Sequence, residues 1–227
     1  MAKTRATQRI VLAASVLLLL GAVATAYSEA RSYIDGGLTP AEGFAALLGG
    51  QRRPGLSIAS TRLVLDGCYD AMLGVYGRVQ PTAARMTVAD NCRALVRAAT
   101  AEMPTYSFAW YVGALAALQL DQPEELVVSL RQSQLTGPTE QWLAELRVAL
   151  AEEHRNLLPD DVLANNDRDL ALLVVSNRGI TSIAKRYVED PSFRERITAI
   201  VELLPEPDQQ RFISTIETAV AGLRRSS

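Results

Sequence analysis

The chain has 227 residues, 48% of them hydrophobic and 21% charged, with a formal net charge of −2. This composition excludes wholesale disorder and is sufficient for a buried core. The near-neutral charge argues against nucleic acid as a partner, because nucleic-acid binding needs a basic surface. One His and two Cys leave little material for a metal site or a catalytic triad, so we expect no cofactor and no metal.

The amino terminus is basic and then strongly apolar. Lys3, Arg5 and Arg9 precede an uncharged run at 10–28. A basic start before an apolar run predicts a membrane anchor or an export signal. As a helix the run spans about 28 Å, which is close to the hydrocarbon thickness of a bilayer. The small residues at 24–26 equally fit a signal-peptidase site, so a transmembrane anchor and a cleaved signal peptide both remain open, and we favour the anchor.

Either interpretation places residues 29–227 outside the cytoplasm, because the basic tail at 1–9 stays inside. We therefore expect a single-pass protein of a bacterial inner membrane whose carboxyl-terminal part is periplasmic. The alternative is secretion to the periplasm after cleavage. Without its three leading cations the exported part is more acidic, which disfavours binding to anionic lipid headgroups or polyanions.

The segment 29–57 is rich in residues that break regular structure. It contains Gly36, Gly37, Pro40, Gly43, Gly49, Gly50, Pro54 and Gly55. Such a segment predicts a tether that holds the folded part away from the bilayer, with one short helix at 40–48.

Beyond residue 57 the apolar residues recur at helical spacing. Proline- and glycine-containing breaks separate the periodic segments, and no run of alternating β-branched residues is present. The sequence therefore predicts an all-α fold, with helical hairpins over 58–157 and a helical bundle over 158–227.

Part of the hairpin region repeats itself. Pro104 and Pro138 are about 34 residues apart, the length of a tetratricopeptide repeat, and the same offset aligns Phe108 with Trp142. Residues 87–152 resemble that family as two degenerate repeats. The family's early small residue is not clearly placed and no third copy is visible. The resemblance implies stacked helix pairs with a concave surface for a partner. An irregular bundle that repeats once is the alternative.

More weakly, the chain resembles the membrane-anchored accessory proteins of bacterial polysaccharide biosynthesis, of the VpsP type. The resemblance depends on Cys68, Cys92, Phe108-Ala109-Trp110 and the stretch from Thr136-Gly137-Pro138 to Trp142. It implies a role in assembly and assigns no functional residue.

Cys68 and Cys92 fall on two successive predicted helices that should form a hairpin. An even number of cysteines in an exported chain favours a disulfide between them. Closing this loop stabilises a fold by roughly 3 kcal/mol in the chain-entropy model. Two separate buried thiols are the alternative.

Aromatic side chains are concentrated at 106–111. Aromatic residues at helical spacing more often belong to the core, and Phe108 and Trp142 are assigned there. Tyr106, Trp110 and Tyr111 are candidates for a groove that holds the partner, with the core as the alternative.

The remaining polar candidates are given structural roles. His154 is predicted to lie on the surface at the end of a helix. The acids at 160–169 and Asn165 and Asn166 are expected to be solvated helix caps in a loop, because the spacing lacks the features of an EF-hand. A mixed, solvated face is predicted for Arg178, Lys185, Arg186, Arg194 and Arg196.

These patterns predict a membrane-tethered adaptor that binds a protein partner in the cell envelope and is not an enzyme. One alternative is a peptidoglycan- or glycan-acting enzyme with Glu140 and Glu145 as candidate acids. The other is a purely structural envelope protein. The oligomeric state stays open.

Overall fold

The computed structural model describes the backbone of residues 2–50 and 52–226, and their side chains except those of 2–7, 9, 35–36 and 223–226. The side chains of Lys3, Arg5 and Arg9, on which the predicted orientation depends, lie outside this description. Within the described ranges every regular element is helical and none is a strand, which confirms the all-α prediction.

The chain divides into two compact units, Met1–Glu102 and Met103–Ser227. The first contains α1 (Ala2–Gly36), α2 (Pro40–Leu48), α3 (Ile58–Leu73), α4 (Val75–Arg78) and α5 (Thr82–Glu102). The second contains α6 (Ser107–Gln119), α7 (Pro123–Thr136), α8 (Gln141–Glu153), α9 (Asp160–Val175), α10 (Gly179–Glu189), α11 (Pro191–Glu202) and α12 (Glu206–Ser226).

The two compact units do not follow the predicted boundaries at 57 and 157. The first compact unit includes α2, which the boundary at 57 excludes. The boundary at 157 would divide one hydrophobic core, because Ala144 and Val148 of α8 belong to the same buried cluster as Leu170, Phe193 and Phe212. Sequence breakers mark the ends of helices, whereas the units are defined by which apolar faces cover one another.

Helix α1 contains a stretch, Ile10–Ile34, with a mean hydropathy of 2.3 and none of its most apolar window buried. It is long and apolar enough to cross a membrane, and a signal sequence meets the same criteria. The large apolar side chains from Ile10 to Tyr27 are exposed, as expected for a surface that is solvated by lipid.

The carboxyl end of α1 packs against α3. The Glu29 carboxylate accepts hydrogen bonds from the backbone N–H groups of Leu56 and Ser57, at 2.7 and 2.8 Å, and from the Ser57 hydroxyl at 2.9 Å. Ser32, one turn further along α1, is buried. The first helix is thus attached to the folded unit by its own last turns.

The tether predicted over 29–57 is therefore wrong. Pro40 starts α2, and Thr39 and Glu42 form a capping box at its amino end. Phe44 and Leu47 of α2 are buried, at 5% and 1% exposure, in the first unit. The helix supplies core side chains, so this segment does not act as a spacer.

Helices α3 and α5 pack as a pair, as the sequence predicts. The Sγ atoms of Cys68 and Cys92 are 2.12 Å apart and their Cα atoms 5.8 Å apart, and both residues are fully buried. The predicted disulfide joins the two helices within their shared core.

In the second unit, α6 packs against α7 and α8 packs against α9. The Arg147 guanidinium of α8, fully buried, donates to both Asp169 carboxylate oxygens, at 2.6 and 2.7 Å, and to the carbonyls of Ser133 and Gly137. This one side chain connects the second hairpin to the end of the first. Burial raises the pKa of the Asp169 carboxyl, and Arg147 opposes that rise.

The predicted loop of solvated acids is wrong, because residues 160–175 form α9. Asp169 and Asn166 are buried, and Asp161 forms a two-point ion pair with Arg131 of α7. These polar residues recur at helical spacing, so one face of α9 is directed toward α7 and α8 and brings some of them into contact with side chains there.

The predicted basic solvated face is only partly correct. Arg196 forms an ion pair with the buried carboxylate of Glu152 on α8 and, like Arg186, lies over the Phe193 ring. Lys185 pairs with Glu189 on the surface. His154 is half-buried at the carboxyl end of α8, where the sequence placed it.

Candidate binding groove

One of the three aromatic residues predicted to form a partner groove is buried. Tyr111 is 2% exposed, and its ring stacks on that of Phe108 with centroids 6.4 Å apart. Tyr106 and Trp110 are half-buried, and the Trp110 indole N–H donates to the Pro104 carbonyl at 2.8 Å. Tyr111 is therefore a core residue, and the groove prediction for it is wrong.

The reason is the composition of α6. Its sequence is apolar on all sides, and nearly every side chain from Ser107 to Ala117 is buried. The small alanines allow α7 to approach closely, so within residues 107–117 only Trp110 keeps partial exposure. Conversely Trp142, assigned to the core by its helical spacing, is 39% exposed and contacts Phe108 with centroids 5.3 Å apart. That assignment is also wrong.

A largely apolar cavity lies in the first unit, between α2, α3 and α4. Its volume is about 970 Å³. We call it the α2–α4 groove. Its lining residues include Leu38, Gly43, Phe44, Arg52, Leu63, Asp66, Gly67, Asp70, Ala71, Gly74, Val75, Tyr76 and Val79.

Two glycines allow α4 to pack closely against α3 and so to form one wall of the groove. Gly74 ends α3, and a Cβ there would lie 2.4 Å from the Asp70 carbonyl oxygen. A Cβ on Gly77 would lie 1.8 Å from the Ala71 carbonyl oxygen, so α4 touches the α3 backbone only because this residue has no side chain. The chain thereby turns sharply and leaves Val75 and Val79 exposed, each at 72%.

Helix α2 forms the opposite wall, and α5 holds it in place. The Asn91 side-chain amide of α5 donates to the Leu47 carbonyl at the end of α2, at 2.8 Å. In the turn that follows α2, Gly50 adopts the left-handed conformation, with a φ of 65°, and lies against the Asn91 side chain. The ring of Phe44 meets that of Tyr76 edge to face, with centroids 5.9 Å apart, which joins α2 to α4.

Two carboxyl groups lie along the groove on α3. Partial burial raises the pKa of Asp70. Burial also raises the pKa of Asp66, and the Arg62 guanidinium 3.6 Å away opposes that rise. The groove thus combines an apolar lining with two incompletely solvated acids spaced four residues apart and with the guanidinium of Arg52, whose Nη1 would lie 3.4 Å from a Cβ on Gly67.

The sequence reasoning missed this groove because it assigned 29–57 to a tether. The available signal was the short apolar segment at 40–48, whose Phe44 and Leu47 are spaced to share one helical face. Glu140 and Glu145, the candidate acids of the alternative enzyme, line neither described cavity. Glu140 accepts a hydrogen bond from Ser107, and Glu145 is exposed. Among the described residues no cluster of three or more His, Cys, Asp or Glu is arranged to hold a metal.

Comparison of the chain with protein-family models, with curated proteins and with solved structures found no match.

Proposed function

We propose that this chain is a membrane-tethered, periplasm-facing helical adaptor that binds a protein partner in the α2–α4 groove. The observation that carries the proposal is the groove itself, a largely apolar concavity bordered by Val75 and Val79, which are highly exposed. Exposed apolar residues beside a concave apolar surface are characteristic of interaction sites.

The proposed occupant is an amphipathic helix of the partner. One stripe of α3 lines the groove from Leu63 through Gly67 and Ala71 to Gly74, a length of about 16 Å or three helical turns. A partner helix of similar length fits such a groove through apolar residues at positions i, i+3/4 and i+7.

Charge specifies the partner further. Asp66 and Asp70 are both partly desolvated along the same stripe. A lysine or arginine on the partner helix would complement these carboxylates and fix its register. The expected ligand is therefore an apolar helix with a basic residue on the edge of its apolar face.

The cellular setting is proposed from the amino terminus and from the resemblances. An apolar first helix behind a basic tail supports anchorage with the folded part in the periplasm. The resemblance to accessory proteins of polysaccharide biosynthesis supports a partner in the machinery that builds or exports an envelope polysaccharide. The α6/α7 hairpin, followed by α8 at the same sequence offset, supports the degenerate tetratricopeptide-like repeats over 87–152.

Site-specific photocrosslinking in native membranes tests the proposal. A photoreactive residue replaces Val75 or Val79 in the groove, and Leu203, 87% exposed in the second unit, serves as the control position. The expected product from the groove positions alone is one partner whose crosslinked peptide is an amphipathic helix with a basic residue.

Charge reversal provides the second arm of this experiment. Asp66→Lys with Asp70→Lys should reduce the crosslink by roughly tenfold, and reversing the partner's basic residue should restore it. Adducts with lipid, with a second copy of the chain, or with the same proteins that the control position captures would overturn the proposal. Circular dichroism of each variant confirms that the fold is retained.

A further inference from the structure

A second cavity, of about 530 Å³, lies where the carboxyl end of α1 meets the segment that precedes α3. Its lining is about half polar. The polar side chains are those of Tyr27, Ser28, Arg31, Ser32, Arg52 and Arg53, and Pro54 and Val64 complete the lining. The cavity thus gathers three arginines and several hydroxyl groups from two separate parts of the first unit.

The position of this cavity along α1 is informative. Arg31 comes three residues after Ser28, the last residue of the uncharged run, and so lies about 4.5 Å further along the helix. The headgroup layer of a bilayer is roughly 5–7 Å thick on each side. Tyr27, 68% exposed, precedes this level, as tyrosines do at membrane interfaces. With α1 in a membrane, Arg31 is at headgroup depth.

The fold brings the other two arginines to the same place. The bonds from Leu56 and Ser57 to the Glu29 carboxylate hold the preceding segment against α1. Arg53 of that segment consequently lines one cavity with Arg31, and Arg52 borders both this cavity and the α2–α4 groove.

We propose that this cavity binds the phosphate of an anionic phospholipid headgroup. Planar guanidinium groups bind phosphate oxygens in pairs, and serine hydroxyls add further donors. The exported part as a whole is acidic, so the arginines form a local exception at the place where the chain meets the bilayer. The inference depends on the membrane anchorage in the proposed function but not on the partner in the groove.

Native mass spectrometry of the full chain in mild detergent tests the inference. The probes are phosphatidylglycerol and, for comparison, zwitterionic phosphatidylcholine. The test variant carries Arg31→Gln and Arg53→Gln, and a control of equal charge carries Arg78→Gln and Arg178→Gln. All four side chains are exposed, so both variants should fold. Each arginine lost from the cavity should lower retention of phosphatidylglycerol about fivefold, and the control should retain it as the wild type does.

Equal phosphatidylglycerol retention by the test and control variants, or equal retention of the two lipids by the wild type, would overturn the inference. Phosphorus NMR with inorganic phosphate distinguishes the source of the ligand. Saturable binding of free phosphate that matches the lipid in strength, and that is lost in the test variant, would replace the headgroup with a soluble phosphate.

Alkaline carbonate extraction distinguishes failure of the lipid-site inference from failure of the proposed function. Release of the wild-type chain from membranes would overturn the anchorage on which both proposals depend. Retention of the chain, with crosslinking from Val75 intact but no preference for phosphatidylglycerol, would overturn the lipid site alone.

Discussion

Arg147 and Asp169 form a fully buried two-point ion pair between α8 and α9, and the same guanidinium also binds two carbonyls at the end of α7. Desolvating two charges is costly, and the mutual attraction of such a pair offsets that cost only when the geometry is good. The pair therefore acts as a specific connection between the two hairpins. Removing one of the two charges should destabilise the protein more than replacing both.

We expect Arg147→Met or Asp169→Asn alone to destabilise the protein by about 3–5 kcal/mol, because each leaves the buried partner without its counter-charge. The double variant Arg147→Met/Asp169→Leu should lose less than the sum of the two. About 1–2 kcal/mol should remain lost, since the Ser133 and Gly137 carbonyls still lack a donor. Urea unfolding monitored by circular dichroism measures the free energy of unfolding of the wild type, the two single variants and the double variant. If the losses of the single variants add up to that of the double variant, the two residues are not coupled.

The Cys68–Cys92 bond should stabilise the first unit by about 3 kcal/mol, because it closes a loop of 24 residues in sequence separation. Dithiothreitol should lower the unfolding midpoint of the wild type to that of Cys68→Ala/Cys92→Ala and leave the double variant unchanged. Maleimide labelling in intact cells checks the bond directly. Rapid labelling of both thiols without reductant would contradict it.

Asp70 should make the protein less stable as pH rises. Its pKa is raised in the folded state by partial burial, so the native protein binds the proton more tightly than the unfolded chain. The stability deficit develops as pH rises from the ordinary value near 3.8 through the raised pKa, and it is complete at neutral pH. Asp70→Asn should therefore raise the melting temperature at pH 7 and leave it unchanged near pH 3.

Asp161→Asn is the matched control with the opposite sign. The Arg131 hydrogen bonds lower the pKa of Asp161, so its contribution to stability is present above the ordinary pKa and is lost as pH falls through the lowered one. This variant should lower the melting temperature at pH 7. The same direction of change for both variants would rule out the assigned causes.

Gly77→Ala should separate α4 from α3. The new Cβ would meet the Ala71 carbonyl oxygen, and relieving that overlap should cost about 1–3 kcal/mol. Gly43→Ala in α2 meets nothing within 4 Å and should stabilise its helix by roughly 0.5–1 kcal/mol. Thermal unfolding compares the two. Crosslinking from Val79 should weaken in Gly77→Ala, because that substitution displaces a groove wall.

The sequence predicts where the helices begin and end more clearly than it predicts which helices pack together. Pro123 and Pro191 begin α7 and α11, and Asp190 accepts hydrogen bonds from the first turn of α11, as local capping rules predict. The disulfide also followed from local reasoning, because both cysteines lie on the inward faces of adjacent helices.

The groove and the buried ion pair required information that no local pattern supplies. Arg147 and Asp169 are 22 positions apart, and each resembles an ordinary surface charge until α8 and α9 pack. The glycines at 74 and 77 look like flexible breakers, whereas the structure uses them for close contact with the α3 backbone. Tyr111 was misplaced because the aromatic content of α6 does not reveal that all of its faces are covered.

The junction at Glu29 makes α1 and the first unit a continuous body without a flexible spacer. For an anchored chain this fixes the distance of the α2–α4 groove from the bilayer and the direction in which it opens. The groove then meets ligands by lateral diffusion within one thin layer above the lipid surface, so membrane proteins whose helices pass through that layer encounter it far more often than freely dissolved ones.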